Sequence, residues 1–161
     1  MKIGIIIQAR IGSTRLPGKV LKKIGNKTLL EHILFRLKNL EHKVEVVIAT
    51  SVLDKDDKIE EFCKVHNVLC FRGSEINVLE RYYLCAKEKG FNHIIRLTGD
   101  NPFYDIEELD RLIEIHIKND NDFSHSFNAL PIGVGTEIFN FSSLQQSYEE
   151  STQEHHFEHV D

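Results

Sequence analysis

The amino-acid sequence predicts an α/β fold: a three-layer structure with one mostly parallel, doubly wound sheet between helices. Short apolar, β-branched runs alternate with segments whose apolar residues recur every three or four positions, and the joints between them are short. The length of 161 residues fits one domain, which buries roughly two-thirds of the surface that the unfolded chain exposes. We therefore expect a single domain over residues 1–161 that needs no disulfide or metal to hold its core.

The first strand and the first helix have the clearest patterns. Residues 3–8 are continuously apolar up to Gln8 and rich in isoleucine, which is typical of a parallel strand buried on both faces. Residues 28–40 carry leucine and isoleucine at three- and four-residue spacing, which predicts a helix with one apolar stripe.

Three more strand–helix units follow in order. The strands are predicted at 44–49, 68–71 and 93–97, and the helices at 54–66, 77–90 and 106–117. Asp54 and Asn77 are candidate N-caps for the first two of these helices, and Gly90 is a candidate terminator. Four such units predict right-handed crossovers, so the carboxyl ends of the parallel strands meet at one edge of the sheet.

The pattern loosens after residue 118. Residues 122–127 and 136–141 predict two more strands, the second of which need not be parallel, with a glycine-containing turn at 131–135 between them. Ser142 or Ser143 is a candidate start for a short last helix.

The charge and cysteine counts exclude several classes of partner. With 20 Lys and Arg against 25 Asp and Glu, the net charge is −5, so no basic field favours nucleic acid or an anionic membrane. No apolar run has the length of a membrane span or a signal peptide. The three cysteines, Cys63, Cys70 and Cys85, form no C-x-x-C pair and predict buried free thiols. We expect a cytoplasmic protein that binds a polyanion only locally.

The loop after the first strand reverses this charge balance. Residues 8–19, here called the cationic loop, contain Arg10, Arg15 and Lys19, the hydroxyls of Ser13 and Thr14, and no acidic residue. A turn of this kind after a buried strand aims N–H groups and cations at phosphate oxygens. It matches neither G-x-x-x-x-G-K-[ST] nor G-x-G-x-x-G, which argues against a P-loop ATPase and a dinucleotide-binding dehydrogenase.

Two other loops at the same predicted edge complement it. Arg72 and Asn77 follow the third strand of the sheet and are balanced between loop geometry and ligand contact. Asp100 follows the fourth strand and is a candidate Mg²⁺ ligand, with a turn-forming function as the alternative. Cations that face a carboxylate holding Mg²⁺ are the parts of a phosphoryl or nucleotidyl transfer site.

These motifs resemble those of a known family. Residues 9–19 resemble the signature loop of the cytidylyltransferase-type sugar nucleotidyltransferases, which include the synthetases that activate sialic acids and 3-deoxy-manno-octulosonate with CTP. Within that group the chain is most similar to the spore coat polysaccharide biosynthesis protein F family. The matching segments are residues 10–19, 29–37, 72–74, 77–83, 96–102, 135–139 and 158–160.

The resemblance implies a Rossmann-like, GT-A-like nucleotide-diphospho-sugar transferase fold. It also implies that a sugar or sugar phosphate attacks the α-phosphate of a nucleoside triphosphate, CTP or alternatively GTP, and releases pyrophosphate in glycan biosynthesis. By position it implies base or ribose contacts from Gln8 and Ala9, triphosphate contacts from Arg10, Ser13, Arg15 and Lys19, and Mg²⁺ binding by Asp100. Thr14, Arg72 and Asn77 are further candidate nucleotide-binding residues.

Alternatives to this hypothesis stay open. One is a non-catalytic nucleotide-binding or assembly module, and another is a GT-A-type glycosyltransferase, although residues 99–101 do not supply its D-x-D motif. Family members continue beyond the Glu-His-Val motif, so the resemblance implies either a C-terminally truncated chain or a short form of the protein, with Glu137 as the nearest candidate for a second metal ligand. Residues 155–159 match the H-x-x-E-H zinc motif but lack a third ligand, so we expect surface residues there. A homodimer is an open alternative to a monomer.

Overall fold

A computed structural model describes residues 1–13, 15–127, 130–131 and 133–151. Within these ranges the strands are β1 Ile3–Gln8, β2 Lys23–Ile24, β3 Lys27–Thr28, β4 Glu45–Ser51, β5 Leu69–Gly73, β6 His93–Thr98, β7 Phe123–His125 and β8 Glu137–Asn140. The α-helices are α1 Leu29–Leu37, α2 Asp57–His66, α3 Val78–Lys89, α4 Ile106–Lys118 and α5 Phe141–Glu150. The elements alternate along the chain as the hydrophobic pattern predicts.

The main sheet has the strand order β5-β4-β1-β6-β8-β7. β1 lies near its centre and pairs in parallel with both β4 and β6, and β4 pairs in parallel with β5. β8 runs antiparallel to β6 and to β7, which fits the expectation that this strand need not be parallel. The chain builds outward from β1 to β5 and then returns to the other side of β1, so the strand order reverses between β1 and β6.

Two hydrophobic cores lie on opposite faces of the sheet. Ile5 and Ile7 of β1 belong to the core that α1, α2 and α4 cover, whereas Ile6 belongs to the core under α3 and α5. All three isoleucines are fully buried, as the continuous apolar run predicts for a strand covered on both faces. The three-layer, mostly parallel, doubly wound fold is therefore confirmed.

The ends of α3 agree with the sequence signals, whereas the starts of α2 and α5 do not. Asn77 accepts a hydrogen bond from the Glu80 amide as the N-cap of α3, and Gly90 ends that helix in the left-handed region at φ 67°. Asp54 does not cap α2, because a short 3₁₀ turn at Asp54–Asp56 precedes the helix. The last helix begins at Phe141 and is capped by Asn140 rather than by a serine.

A short strand pair, the cysteines and the helix hydropathy remain to be described. The short antiparallel pair of β2 and β3 has no counterpart in the predicted elements, because two-residue strands carry no periodic pattern. Cys63 and Cys85 are buried free thiols, and Cys70 is free and half-buried. Among the described helices, none combines the length and the hydropathy that a membrane span requires.

Candidate functional site

A cleft opens at the carboxyl ends of β1 and β6, where the strand order reverses. Open α/β sheets bind their ligands at such a point. The cleft has a volume of about 230 Å³ and is lined by Gln8, Ala9, Arg10, Ser13, Arg15, Lys19, Val20, Thr98 and Asp100. The structure thus brings the cationic loop and the loop after β6 together, as expected from the meeting of parallel strand ends.

Gly99 allows these two loops to approach closely. Its amide donates a hydrogen bond of 2.7 Å to the carbonyl oxygen of Gln8, directly after the last pair of the β1–β6 ladder. A Cβ atom at position 99 would lie 3.0 Å from the Cβ atom of Ala9 and 3.1 Å from a methyl group of Leu30, which is tighter than an ordinary contact. The glycine therefore lets the two loops meet without displacing Ala9 or Leu30, and Asp100 follows it beside the start of the cationic loop.

Lys19 and Asp100 form an ion pair across the cleft, in which the Lys19 ammonium donates to Asp100 Oδ2. Partial burial raises the pKa of Asp100, but hydrogen bonds from Lys19 and Thr98, together with the Lys19 charge, outweigh this effect and hold the pKa below its ordinary value. Asp100 is therefore an ionised carboxylate at neutral pH.

Arg10 and Arg15 add positive charge to the cleft. Both side chains are exposed and line the cleft. Within the described ranges, neither guanidinium makes a hydrogen bond or an ion pair with a protein group. Gln8 Oε1, also at the cleft, is buried and lacks a hydrogen-bond partner in the same part of the chain. The cleft therefore presents cations and a polar atom with unused hydrogen-bonding capacity.

Internal hydrogen bonds fold the cationic loop back on Ile11. The Ile11 carbonyl oxygen accepts from the amides of Ser13, at 2.8 Å, and Gly18, at 2.9 Å. Ser13 Oγ in turn accepts from the Leu16 amide at 3.4 Å. Ile11 thereby joins the first part of the loop to the part that precedes Lys19.

Arg72 lies outside the cleft. Its guanidinium donates to Asp57 Oδ1 at 2.6 Å and to Glu60 Oε2 at 2.9 Å, both at the start of α2. It also donates to the carbonyl oxygens of Ser51, at 3.0 Å, and Leu53, at 2.9 Å. This side chain ties β5 to the end of β4 and to α2, and these contacts turn it away from the cationic loop.

Asn77 and Glu137 also lie apart from the cleft lining. Asn77 uses its side-chain oxygen as the N-cap of α3. Glu137 is buried on β8, where its Oε1 accepts a hydrogen bond of 2.5 Å from Arg96 of the neighbouring strand. Across the residues that the structure describes, no group of three or more His, Cys, Asp or Glu side chains is arranged to hold a metal ion. Thr14 and residues 155–159 lie outside the described residues.

Two residues that shape the cleft carry no clear signal in the sequence. The buried carboxylate of Asp56 accepts a hydrogen bond of 2.7 Å from the Ile11 amide. The Tyr104 hydroxyl accepts one of 2.7 Å from the Thr98 amide. Three aspartates within four residues at the start of α2 suggest capping, but the pattern does not say which of them turns inward.

Comparison with known protein families gives a match over almost the whole chain. A family model described as Cytidylyltransferase matches residues 4–161. The chain is 41% identical over 159 residues to the spore coat polysaccharide biosynthesis protein SpsF of Bacillus subtilis, covering 93% of this chain and 66% of that protein. It is 39% identical over 160 residues to an uncharacterized protein of Methanocaldococcus jannaschii, covering 99% of this chain and 65% of the relative.

A more distant relative is the 3-deoxy-manno-octulosonate cytidylyltransferase of Thermodesulfovibrio yellowstonii. It is 32% identical over 132 residues, which cover 73% of this chain and 48% of the relative. The chain thus spans from about half to two thirds of the length of these curated relatives.

Solved structures agree with this likeness. A cytidylyltransferase from Leptospira borgpetersenii superposes with a TM-score of 0.92 at 38% identity, covering 99% of this chain and 69% of that one. A CMP:2-keto-3-deoxy-manno-octonic acid synthetase complexed with CTP gives a TM-score of 0.79 at 19% identity, covering 95% of this chain and 80% of the other. The second likeness is one of fold alone.

Proposed function

Because the chain belongs to the cytidylyltransferase family, we propose that it transfers the cytidylyl group of CTP to a sugar or sugar phosphate and releases pyrophosphate. The observation that carries the proposal is the cleft, where two arginines and Lys19 face an ionised Asp100. The likeness to a spore coat polysaccharide protein and to a 3-deoxy-manno-octulosonate cytidylyltransferase favours a sugar acceptor in glycan biosynthesis.

In this proposal different residues of the cleft bind different parts of the nucleotide. Arg10, Arg15 and Lys19 bind the triphosphate, with Ser13 and the loop amides as further donors. Gln8, whose Oε1 is buried and unpaired among the described residues, accepts a hydrogen bond from the base or the ribose beside Ala9.

The other candidate nucleotide-binding residues are treated differently. Thr14 stays a sequence-based candidate on the same loop. Arg72 and Asn77 are left out of the proposed set because their hydrogen bonds hold them elsewhere.

The proposed reaction is an in-line displacement. A sugar oxygen forms a bond to the α-phosphorus, the bond from that phosphorus to the bridging oxygen breaks, and pyrophosphate leaves with the electron pair. An attacking sugar hydroxyl passes its proton to solvent water, whereas the phosphate oxygen of a sugar phosphate attacks in its ionised form. Negative charge grows around the α-phosphate during this step, so preorganised arginine and lysine side chains lower its barrier. No covalent intermediate with the protein is needed.

Of the two candidate Mg²⁺ ligands, Asp100 and Glu137, the geometry of the cleft favours Asp100. Mg²⁺ in nucleotide sites takes one or two carboxylates together with substrate phosphates and water. Asp100 meets this requirement as an ionised carboxylate at the cleft wall, whereas Glu137 is held by Arg96 and does not line the cleft. When bound, Mg²⁺ supplies charge neutralisation at the phosphate oxygens. Lys19, now paired with Asp100, is then available to the triphosphate.

Pyrophosphate release tests the proposal. The protein is incubated with CTP or GTP, Mg²⁺ and a panel of sugar and sugar phosphate acceptors, and nucleotide binding is measured in parallel by calorimetry. We expect acceptor-dependent pyrophosphate release with CTP. Nucleotide binding without release for any acceptor would favour the non-catalytic module, and consumption of a finished nucleotide-sugar would favour a glycosyltransferase.

Two arginine variants sharpen the test. Arg10→Gln and Arg15→Gln each remove one proposed triphosphate contact, and the loss of one such electrostatic stabiliser costs about 10²-fold in turnover. Arg111→Gln is the matched control, because this exposed arginine on α4 lies outside the cleft lining and pairs with Glu108. If the cleft variants release pyrophosphate as fast as the control, the cleft is not the active site.

Assembly and location are further parts of the proposal. The net charge of −5 argues against a nucleic-acid partner, and the three free cysteines fit a reducing cytoplasm. A homodimer stays a prediction that light scattering of the purified protein would decide.

A further inference from the structure

We infer that Asp56 is a positioning residue for the proposed reaction: its buried carboxylate fixes the start of the cationic loop and thereby aims Arg10 and Ser13 into the cleft. This inference rests on the proposed function, because it concerns the loop that binds the triphosphate. Asp56 does not line the cleft, so it acts only through the loop.

The two carboxylate oxygens of Asp56 connect two segments. Oδ1 accepts the Ile11 amide at 2.7 Å, and Oδ2 accepts the amide of Ser51 at 3.3 Å and its hydroxyl. Ser51 ends β4, next to β1 in the sheet. Asp56 is 0% exposed, and hydrogen bonds to a buried carboxylate are stronger than those between neutral groups. Asp56 therefore connects the loop to the end of β4.

Ile11 transmits the contact with Asp56 to the rest of the cationic loop. Its amide is held by Asp56, while its carbonyl oxygen accepts from the amides of Ser13 and Gly18. Movement of the Ile11 peptide therefore shifts Arg10 on one side and Ser13 on the other. It also shifts Gly18, which directly precedes Lys19.

The position of Asp56 in its own helix supports a function outside that helix. It occupies the N-cap position of α2, where an aspartate normally accepts a hydrogen bond from the helix amides. Its side chain makes no such capping bond. Asp56 uses both of its oxygens on Ser51 and Ile11 instead, so its acceptor capacity serves the loop rather than the helix end.

Hydrogen exchange tests the attachment without any need for activity. In the ligand-free protein, Asp56→Ala should speed amide exchange in peptides that cover residues 9–16 by about tenfold or more, because the Ile11 amide loses its acceptor. Exchange in β6 and α4 should not change. Glu61→Gln, an exposed acid on the same helix, is the control and should exchange like the wild type throughout.

Kinetics test the consequence for the reaction. Misplacement of catalytic side chains costs up to about 10²-fold, so kcat/KM for CTP should fall by about that factor in Asp56→Ala, while KM for the sugar stays at the wild-type value. Asp56→Asn keeps one acceptor for the Ile11 amide and should recover part of the loss. A purely structural residue would not produce this recovery together with an unchanged sugar KM.

The outcomes separate this inference from the proposed function. If Asp56→Ala is folded and exchanges residues 9–16 at the wild-type rate, the inference is overturned even if the enzyme is active. If the wild type releases no pyrophosphate, the proposed function fails, and the exchange result still decides whether Asp56 holds the loop. Should Asp56→Ala not fold, Asp56→Ser takes its place, because its shorter side chain withdraws the oxygen that accepts the Ile11 amide. Wild-type exchange of residues 9–16 in a folded Asp56→Ser variant overturns the inference.

Discussion

Lys19 and Asp100 form an ion pair in the lining of the cleft. Their side chains are 26% and 36% exposed, so water screens the attraction between them. Exposed ion pairs of this kind contribute about 0–1 kcal/mol to stability. The pair is therefore a weak mutual contact, which in the proposed site a triphosphate and a divalent cation would replace, and it contributes little to folding.

Lys19→Met and Asp100→Asn should separate these two contributions. We expect each to reduce pyrophosphate release by about 10²-fold, because each removes one charge from the reacting centre. The free energy of unfolding, measured in urea, should change by no more than about 1 kcal/mol. Full activity in both variants with CTP and a proper acceptor would contradict the assignment of the cleft.

Arg72 acts at the scale of secondary-structure elements. Its guanidinium bridges β5, the end of β4 and the start of α2, all on the side of the sheet away from β6. Sequence position places it after a parallel strand, at the edge where ligands bind. Sequence position does not predict whether the side chain points to the cleft or to Asp57 and Glu60, because that depends on where α2 begins.

Arg72→Ala distinguishes a structural arginine from a ligand-binding one. We expect the free energy of unfolding to fall by about 1–2 kcal/mol, because two backbone carbonyl oxygens lose their charged donor. The dissociation constant for CTP should stay at the wild-type value. Thermal unfolding measures the stability, and calorimetry measures the dissociation constant. Weaker CTP binding at unchanged stability would show that Arg72 belongs to the nucleotide site.

At the scale of the whole molecule, some features follow from sequence and others do not. The buried run at residues 3–8 and the parallel order predict that Asp100 lies near the cationic loop, because parallel strand ends meet at one edge. The inward turn of Asp56 is not predictable, since three nearby aspartates offer the same capping signal. The contact of Glu137 with Arg96 depends on the register of an antiparallel strand, which the spacing of residues does not set.

Stability as a whole should fall in mild acid because of His116. This side chain of α4 is fully buried and contacts Ser124 of β7 and His93 of β6. Burial, followed by the charge of His93, lowers the pKa of His116 to about 4. The folded state then binds a proton less readily than the unfolded state, so stability is retained above the ordinary pKa of about 6.5 and lost as the pH falls towards 4.

Urea unfolding between pH 7 and pH 4.5 measures this loss. We expect the midpoint of the wild type to decrease over this range, and the decrease to be smaller in His116→Gln, which has no titrating ring. His125→Gln, at an exposed histidine on β7, should behave like the wild type. An equal decrease in all three proteins would show that His116 is not responsible.

The central strand β1 also separates the amino terminus of the chain from the cleft. Met1 is 79% exposed and lies two residues before β1, and the cleft begins at Gln8, seven residues further along. At about 3.3 Å per residue, the two points are up to about 23 Å apart. A sensor surface that captures the protein through its amino terminus would therefore leave the cleft facing solution, open to nucleotide flowing past.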